Sequence, residues 1–129
     1  AAKARISGSD LDAGAVSAAR RNLAAAGHGD VSLQVADAFA PGSLDLAGTK
    51  RLLVSNLPYG RRLGSEQSAF DLHRRLAAQL VGSGPWDFLL LTTQPQALQG
   101  TPGLEIDSVL TVSSGGLRVS LVRGNSRAG

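Results

Sequence analysis

The order in which strand and helix patterns alternate constrains the fold of this chain more than any other feature of its sequence. A short strand is predicted to end at Asp10, a helix with Asp12 as its N-cap to run to Gly27, and a second strand, 31–35, to lead into Asp37. Because strands that are joined through a helix run parallel, this order predicts an α/β layered sheet.

The second half of the chain continues this order and then ends differently. The continuous apolar run Leu52–Val54 predicts a strand buried on both faces, the apolar stripe of 66–81 predicts a helix, and Phe88–Leu91 predicts a second fully buried strand. Ser113–Gly116 lies between two apolar segments and predicts a hairpin, while the polar tail 125–129 is expected to fray. The predicted fold is a mostly parallel sheet with helices on its faces and an antiparallel C-terminal hairpin.

Length and composition narrow the class of protein. At 129 residues, the chain 1–129 is predicted to form a single domain. The sequence contains no cysteine, which excludes disulfide scaffolds, thiolate metal sites and cysteine nucleophiles. Neither a signal peptide nor an apolar run of about 20 residues is visible, so we expect a cytoplasmic location and no membrane partner. The absence of methionine, even at position 1, predicts that the chain is part of a longer polypeptide.

Arginine supplies most of the positive charge. The net charge is +3, and eleven of the thirteen basic residues are arginine. Two interpretations stay open, because arginine suits phosphate recognition but is also frequent in proteins from GC-rich genomes, together with alanine and glycine. The chain has few aromatic residues, so it lacks the interleaved aromatic and cationic side chains of a single-strand binding platform.

Polar residues close the predicted strands at Asp10, Asp37, Asn56 and Thr92. In open parallel sheets, ligands bind beyond the carboxyl ends of the strands. A carboxylate at this place suits the two hydroxyls of a ribose, and a second carboxylate can accept a proton from the adenine amino group, so the pair predicts an adenosine pocket. The alternative is that each aspartate only closes its own turn or caps the following segment.

The tetrapeptide Asn56-Leu57-Pro58-Tyr59 is the most specific motif in the sequence. The exocyclic amine of a purine is a weak nucleophile because its lone pair is delocalised into the ring, so a catalyst must hold both amino hydrogens. The Asn56 side-chain carbonyl and a main-chain carbonyl of Leu57 or Pro58 supply two acceptors, and Tyr59 offers a face for stacking. The alternative is an Asn-X-Pro turn whose tyrosine packs in the core.

The remaining polar candidates are two arginines and two histidines. Arg61 and Arg62 adjoin the tetrapeptide, where they either bind RNA phosphates or belong to a solvated loop. His28 and His73 are far apart in the sequence without metal-ligand spacing, so no metal site is predicted. His73 lies near the apolar stripe of a predicted helix and is interpreted as a structural histidine with satisfied hydrogen bonds.

As an ordered set, the motifs resemble a known family. They are Gly8-Ser9-Asp10-Leu11-Asp12, Ala19-Arg20 with Asn22, Asp37, Asn56-Leu57-Pro58-Tyr59-Gly60, Arg62-Leu63-Gly64 and Leu91-Thr92-Thr93. The chain resembles the class I S-adenosylmethionine-dependent methyltransferases, and more narrowly the RNA guanine-N2 methyltransferases that often carry an N-terminal THUMP domain. The resemblance implies a Rossmann-like methyltransferase sheet, S-adenosylmethionine as cofactor, and methyl transfer to the exocyclic amine of a purine in RNA, guanine N2 of tRNA or rRNA.

The resemblance also implies roles for individual residues. Asp10 would bind the cofactor ribose, Leu11 would flank the cofactor adenine, and Asp37 with Ala38 would read the adenine edge. The segment 56–59 would hold the target base and form the catalytic site.

The chain departs from the family in two respects. Leucine stands at position 57, where the family more often has proline, and this bears on the choice of substrate more than on the reaction. The family's first strand and glycine-rich loop, expected before Ala1, are missing from the sequence. We therefore expect a strand to be contributed by a missing N-terminal segment or another chain, and the fragment alone to bind cofactor weakly or not at all.

Two other functions remain open. The same tetrapeptide would serve an adenine-N6 methyltransferase acting on DNA or RNA. A non-catalytic, basic, RNA-associating α/β module would retain the shell of the fold without the cofactor loop.

Overall fold

The computed structural model describes residues 4–40, 50–57 and 65–126. The chain divides into two compact units, Ala1–Asp45 and Leu46–Gly129. The first unit contains a two-stranded parallel sheet and the second a four-stranded mixed sheet. The expectation of a single domain over the whole chain stays a prediction.

The first unit is a strand, a helix and a strand. They are β1 (Ser7–Asp10), α1 (Ala13–Ala25) and β2 (Ser32–Val35). The strands pair in parallel, with Asp10 opposite Val35. As predicted, the Asp12 carboxylate caps α1 by accepting the Gly14 N–H at 2.9 Å. Gly27 follows the helix with a φ of 80°, a left-handed conformation that glycine adopts without steric cost.

The second unit carries the larger sheet. Its elements are β3 (Leu52–Asn56), α2 (Glu66–Gly82), β4 (Asp87–Thr92), a 3₁₀ turn (Pro95–Ala97), β5 (Glu105–Ser114) and β6 (Leu117–Asn125). The strand order is β3-β4-β6-β5, in which β3 and β4 are parallel and the other two pairs are antiparallel. The predicted C-terminal hairpin is confirmed. Its two connecting residues, Gly115 and Gly116, have φ values of 56° and 79°, as the favoured two-residue hairpin turn requires.

The core of the second unit lies between its sheet and α2. In β4, the side chains of Phe88, Leu90 and Thr92 are buried, while the residues between them are partly exposed. Thr92 hydrogen-bonds to His73 of α2, so the buried face of β4 is the face toward the helix. The prediction that β4 is fully buried is therefore wrong, because α2 covers one face of the strand and not both.

The strand β3 departs from its prediction in the same way. Its apolar run predicted burial on both faces, yet Leu52 and Val54 are 61% and 63% exposed. Within the described residues β3 is an edge strand, and these two side chains lie on the face opposite to that of the buried Phe88. An unbroken apolar run identified the strand, but burial depends on which elements cover it.

The start of the larger sheet is fixed by Arg51, the residue before β3. Its guanidinium donates to the main-chain oxygens of Ser83 at 2.9 Å and Pro85 at 3.1 Å. The same group lies 4.4 Å from the ring centroid of Trp86, where a cation–π contact adds to the hydrogen bonds. A single side chain thus joins β3 to the connection between α2 and β4.

The end of β6 is ordered rather than frayed. Asn125 belongs to β6. The Ser126 hydroxyl accepts the main-chain N–H of Trp86 at 2.9 Å and donates to Gly84 O at 3.2 Å. The prediction of fraying is wrong for these two residues because Ser126 is buried and anchored by contacts distant in the sequence. Residues 127–129 lie outside the described part. Neither described helix is long and apolar enough to cross a membrane.

Candidate functional site

Asp10 is the last residue of β1, and Asp37 follows the carboxyl end of β2. Asp10 accepts the main-chain N–H of Asp12 at 2.8 Å, and Asp37 accepts that of Phe39 at 2.9 Å, in each case through Oδ1. Each aspartate therefore closes the tight turn that the alternative interpretation expected. Within the described residues, Oδ2 of each has no hydrogen-bond partner, and both residues are exposed. The turn leaves one acceptor on each carboxylate available to a ligand.

Leu11 and Ala38 accompany these carboxylates. Leu11 is 72% exposed, and Ala38 is also exposed. Since β1 and β2 are parallel and Ala36 N–H donates to Asp10 O at 3.0 Å, both acid–apolar pairs lie at the same edge of the small sheet. Two free carboxylate oxygens beside an exposed apolar side chain can receive the hydroxyls and the flat base of a nucleoside.

Asn56 and Leu57 form the corner at the end of β3. Asn56 pairs with Leu91 of β4, and the Leu57 N–H donates to Leu91 O at 2.8 Å. Leu57 is only 4% exposed, whereas Asn56 is exposed and its amide has no hydrogen-bond partner among the described residues. The corner is anchored through Leu57 and leaves the Asn56 amide available. Pro58, Tyr59, Arg61 and Arg62 lie outside the described residues, and their assigned roles stay predictions.

A buried polar chain lies behind this corner. His73 Nδ1 is 2.6 Å from Ala69 O, which can only accept, so Nδ1 carries the ring proton. Nε2 is 2.5 Å from Thr92 Oγ1, and in the neutral ring it accepts the threonine hydroxyl, while Oγ1 accepts the Gln94 N–H at 2.9 Å. Burial lowers the pKa of His73, and the bond to Ala69 acts in the opposite direction without overcoming it. The histidine is neutral and fully hydrogen-bonded.

The sequence predicts one of the two partners in this buried hydrogen bond. His73 is predicted to be structural, and the structure agrees, since the residue is fully buried with both ring nitrogens bonded. Thr92 is predicted as a strand end and as part of a family motif, without a partner in the helix. Nineteen residues separate the two partners, and no spacing rule connects a helix position with a distant strand end.

The structure brings the predicted residues together in two groups. Asp10, Leu11, Asp37 and Ala38 share one edge of the small sheet in the first unit, and Asn56 with Leu57 forms the corner of the second. Among residues 4–40, 50–57 and 65–126, no three His, Asp or Glu side chains lie together as a metal site would require.

Comparison with known proteins identifies the family of this chain. The model of UPF0020, an RMKL-like methyltransferase domain, matches residues 1–100. Two relatives are ribosomal RNA large subunit methyltransferases K/L. The protein of Hahella chejuensis is 37% identical over 90% of this chain, and that of Marinomonas sp. is 30% identical over 86%. The chain spans 16% of the length of each.

A solved structure agrees with the family match. SMU.472, complexed with SAH, superposes with a TM-score of 0.70 and 27% identity, covering 92% of this chain and 30% of its own. The Rossmann-like methyltransferase fold implied by the sequence motifs is confirmed, with the antiparallel strands at its C-terminal end. The family match extends over most of the chain and includes all four strand ends singled out in the sequence. The chain therefore belongs to the RMKL-like methyltransferase domain family.

Proposed function

We propose that the protein containing this chain transfers a methyl group from S-adenosylmethionine to the exocyclic amine of a purine in RNA, namely guanine N2 of tRNA or rRNA. The observation that carries the proposal is the Asn56 corner, an exposed amide without a described partner beside an anchored Leu57. Family membership and the relatives named as ribosomal RNA methyltransferases support the choice of reaction and of RNA.

The chemistry assigned to the corner is to hold an amine. The Asn56 carbonyl accepts one amino hydrogen of the purine, and a neighbouring main-chain carbonyl accepts the other, which turns the nitrogen lone pair out of the ring plane. The Leu57 N–H bonds to Leu91 O, which attaches the corner to β4. Alignment of this kind lowers the barrier without requiring a strong base.

The cofactor belongs to the edge of the small sheet in this proposal. S-adenosylmethionine supplies an activated methyl group when bound. The residues present fit its adenosine part, because Asp10 and Asp37 each keep Oδ2 without a partner among the described residues, and Leu11 exposes an apolar surface beside them. Asp10 would hold the ribose hydroxyls, and Asp37 with Ala38 would hold the adenine edge. The SAH complex of SMU.472 supports this class of cofactor.

An additional strand beside β3 is part of the same proposal. Edge strands usually carry charge, proline or a bulge that prevents further pairing. Leu52–Asn56 carries none of these, and two of its apolar side chains are exposed. A strand from the N-terminal segment of the complete polypeptide, or from another chain, would pair with this edge.

The test of the proposed reaction is Asn56→Ala in the complete natural polypeptide. We expect methyl transfer to RNA to fall on the order of 100-fold, because one group that fixes the reacting amine is removed. Gln99→Ala, which removes an exposed amide elsewhere in the second unit, is the matched control and should retain activity. Mass spectrometry of the product nucleosides should detect N2-methylguanosine. Retained activity in Asn56→Ala removes this residue from the mechanism, and N6-methyladenosine as the product replaces guanine with adenine.

The cofactor assignment has its own test. Asp10→Ala and Asp37→Ala should each weaken S-adenosylmethionine binding by the complete polypeptide in calorimetry, whereas Asp107→Ala, an exposed control in β5, should not. The chain 1–129 alone should bind weakly or not at all. Micromolar affinity of that fragment contradicts the expected need for further residues.

A further inference from the structure

Two consecutive residues at the end of β4 bond to the Asn56 corner and to α2. Leu91 accepts the Leu57 N–H through its main-chain oxygen, at 2.8 Å. Thr92, the next residue, binds α2 through its side chain, which donates to His73 Nε2. Since β3 pairs with β4 from Leu52 to Asn56, the hydrogen bond of Leu57 is, within the described segment 50–57, the last one that joins this part of the chain to β4. The position of the corner therefore depends on where the end of β4 is held.

His73 is the side chain of α2 that bonds to this end of β4. The main chain of Thr92 pairs with Ser120 of β6, while its hydroxyl accepts the Gln94 N–H at 2.9 Å and closes the turn after the strand. The same hydroxyl has one proton to donate, and His73 Nε2 receives it. His73 and Thr92 are both fully buried, so no water competes for these bonds. A polar chain with one direction, Gln94 to Thr92 to His73 to Ala69, fixes the strand end against the helix.

The helix side of the bond matters equally. α2 begins at Glu66, capped by Ser65, whose hydroxyl accepts the Ser68 N–H at 3.0 Å. His73 lies two turns into this helix. Leu57 bonds directly to Leu91 of β4. The helix that Ser65 caps bonds to the adjacent Thr92 through His73.

We infer that His73 is a positioning residue for methyl transfer, which holds Thr92 and through it the Leu91–Leu57 hydrogen bond that sets the place of Asn56. The inference rests on the proposed function, because it deepens the role assigned to the Asn56 corner. His73 contacts no substrate in this arrangement. It acts through the strand end, and a loss of its bond to Thr92 shifts the acceptor that Asn56 presents.

The test uses three variants of the complete natural polypeptide. Thr92→Val keeps the shape of the side chain and removes the hydroxyl, His73→Phe keeps a planar ring and removes both bonds, and Thr92→Ser retains the hydroxyl. The control is Ser126→Ala, which removes a buried hydroxyl bonded to Trp86 N at the opposite end of β4. Its loss costs stability of a similar kind without touching the Asn56 corner.

Two readouts are measured at a temperature at which all variants are folded. Thr92→Val and His73→Phe should lower kcat for RNA methylation about tenfold or more, with the KM for S-adenosylmethionine unchanged, because displacement of a reacting group by a fraction of an ångström is costly. Hydrogen exchange of the Leu57 amide should become about tenfold faster in both. Thr92→Ser should restore both values, and Ser126→Ala should leave both at the wild-type level.

Three results overturn the inference. They are an unchanged Leu57 exchange rate in Thr92→Val, a changed exchange rate with unchanged kcat, and an equal fall of kcat in Ser126→Ala. If the wild-type protein transfers no methyl group to RNA, the proposed function fails instead. The exchange rate of the Leu57 amide then decides by itself whether His73 holds this corner. Thr92→Val keeps the test available if His73→Phe fails to fold.

Discussion

The two units of the chain differ in how their functional residues are supported. In the described part of the first unit, Val16 is the one buried residue of α1, and β1 and β2 are largely exposed. In the second unit, large side chains including Trp86, Phe88 and Leu90 are almost completely buried. The candidate cofactor carboxylates thus stand on a lightly packed scaffold, whereas the Asn56 corner is attached to a dense core. Local opening should be easier around the carboxylates than around the corner.

The largest expected effect comes from cavities placed in the two units. Leu90→Ala removes a fully buried side chain and should lower the free energy of unfolding of the second unit by about 3 kcal/mol or more. Leu33→Ala, at a partly exposed position of β2, should cost about 1 kcal/mol. Urea unfolding with amide hydrogen exchange as a local readout measures both. Equal losses would end the contrast between the units.

A second contrast uses two glycines. A Cβ at Gly124 would clash with the main-chain oxygen of Glu105 and lie 2.6 Å from Phe88 Cζ, so Gly124→Ala should destabilise the second unit by at least about 2 kcal/mol. A Cβ at Gly29 meets no atom within 4 Å. Gly29→Ala should therefore change stability by less than about 0.5 kcal/mol, as is usual for surface substitutions. Thermal unfolding of the two variants provides the comparison, and a stable Gly124→Ala would refute the tight packing there.

The third prediction concerns pH and only the second unit. Burial lowers the pKa of His73 from 6.5, so the unfolded chain binds a proton more readily than the folded one. The contribution of neutral His73 is complete above pH 6.5 and is lost as the pH falls below it, by at most about 1.4 kcal/mol for each pH unit. Unfolding free energies at pH 8 and pH 5 should differ less in His73→Phe than in the wild type. An identical pH dependence would exclude this role.

The smallest expected effect is the loss of stability when the N-cap of either helix is removed, and the two helices should differ in how far the fraying spreads. Asp12→Ala and Ser65→Ala each remove a side chain that accepts an N–H in the first helical turn, and each should cost about 1 kcal/mol. α1 has one buried residue to resist fraying, whereas α2 is held by a buried face. Hydrogen exchange should therefore accelerate along most of α1 and only in the first turn of α2. Equal acceleration along both helices would contradict the difference in packing.

Local features of the sequence predicted local features of the fold. Asp12 and the pair Gly115 and Gly116 specify a helix start and a hairpin turn because the required atoms or φ values belong to those residues themselves. Exposure of Leu52 and Val54 was not predictable in this way, since it depends on the place of β3 in the strand order. Composition alone could not order the tail either, because Ser126 is held by Trp86, forty residues away.

The candidate site divides along the same line. The sequence predicts Asp10, Asp37 and Asn56 at the ends of strands, and the structure agrees, since Asp10 and Asn56 are the last residues of β1 and β3 and Asp37 follows β2. For Asn56 the local signal is a polar residue at the end of an apolar run. The hydrogen bond from Thr92 to His73 had no such signal. His73 and Thr92 become partners only because α2 packs on the sheet, and the distance between their side chains cannot be read from a single sequence.

Arg51 has a consequence for how cationic residues in such chains are interpreted. Its guanidinium N–H groups donate to two main-chain carbonyls, and its central carbon lies over the Trp86 ring, so the shape of the group matters as well as its charge. A lysine would carry the same charge but offers neither the planar face nor the fork. These local contacts explain why arginine is present at position 51, without appeal to codon usage or to a polyanionic partner. The number of positive charges therefore overestimates how many side chains are available to bind a nucleic acid.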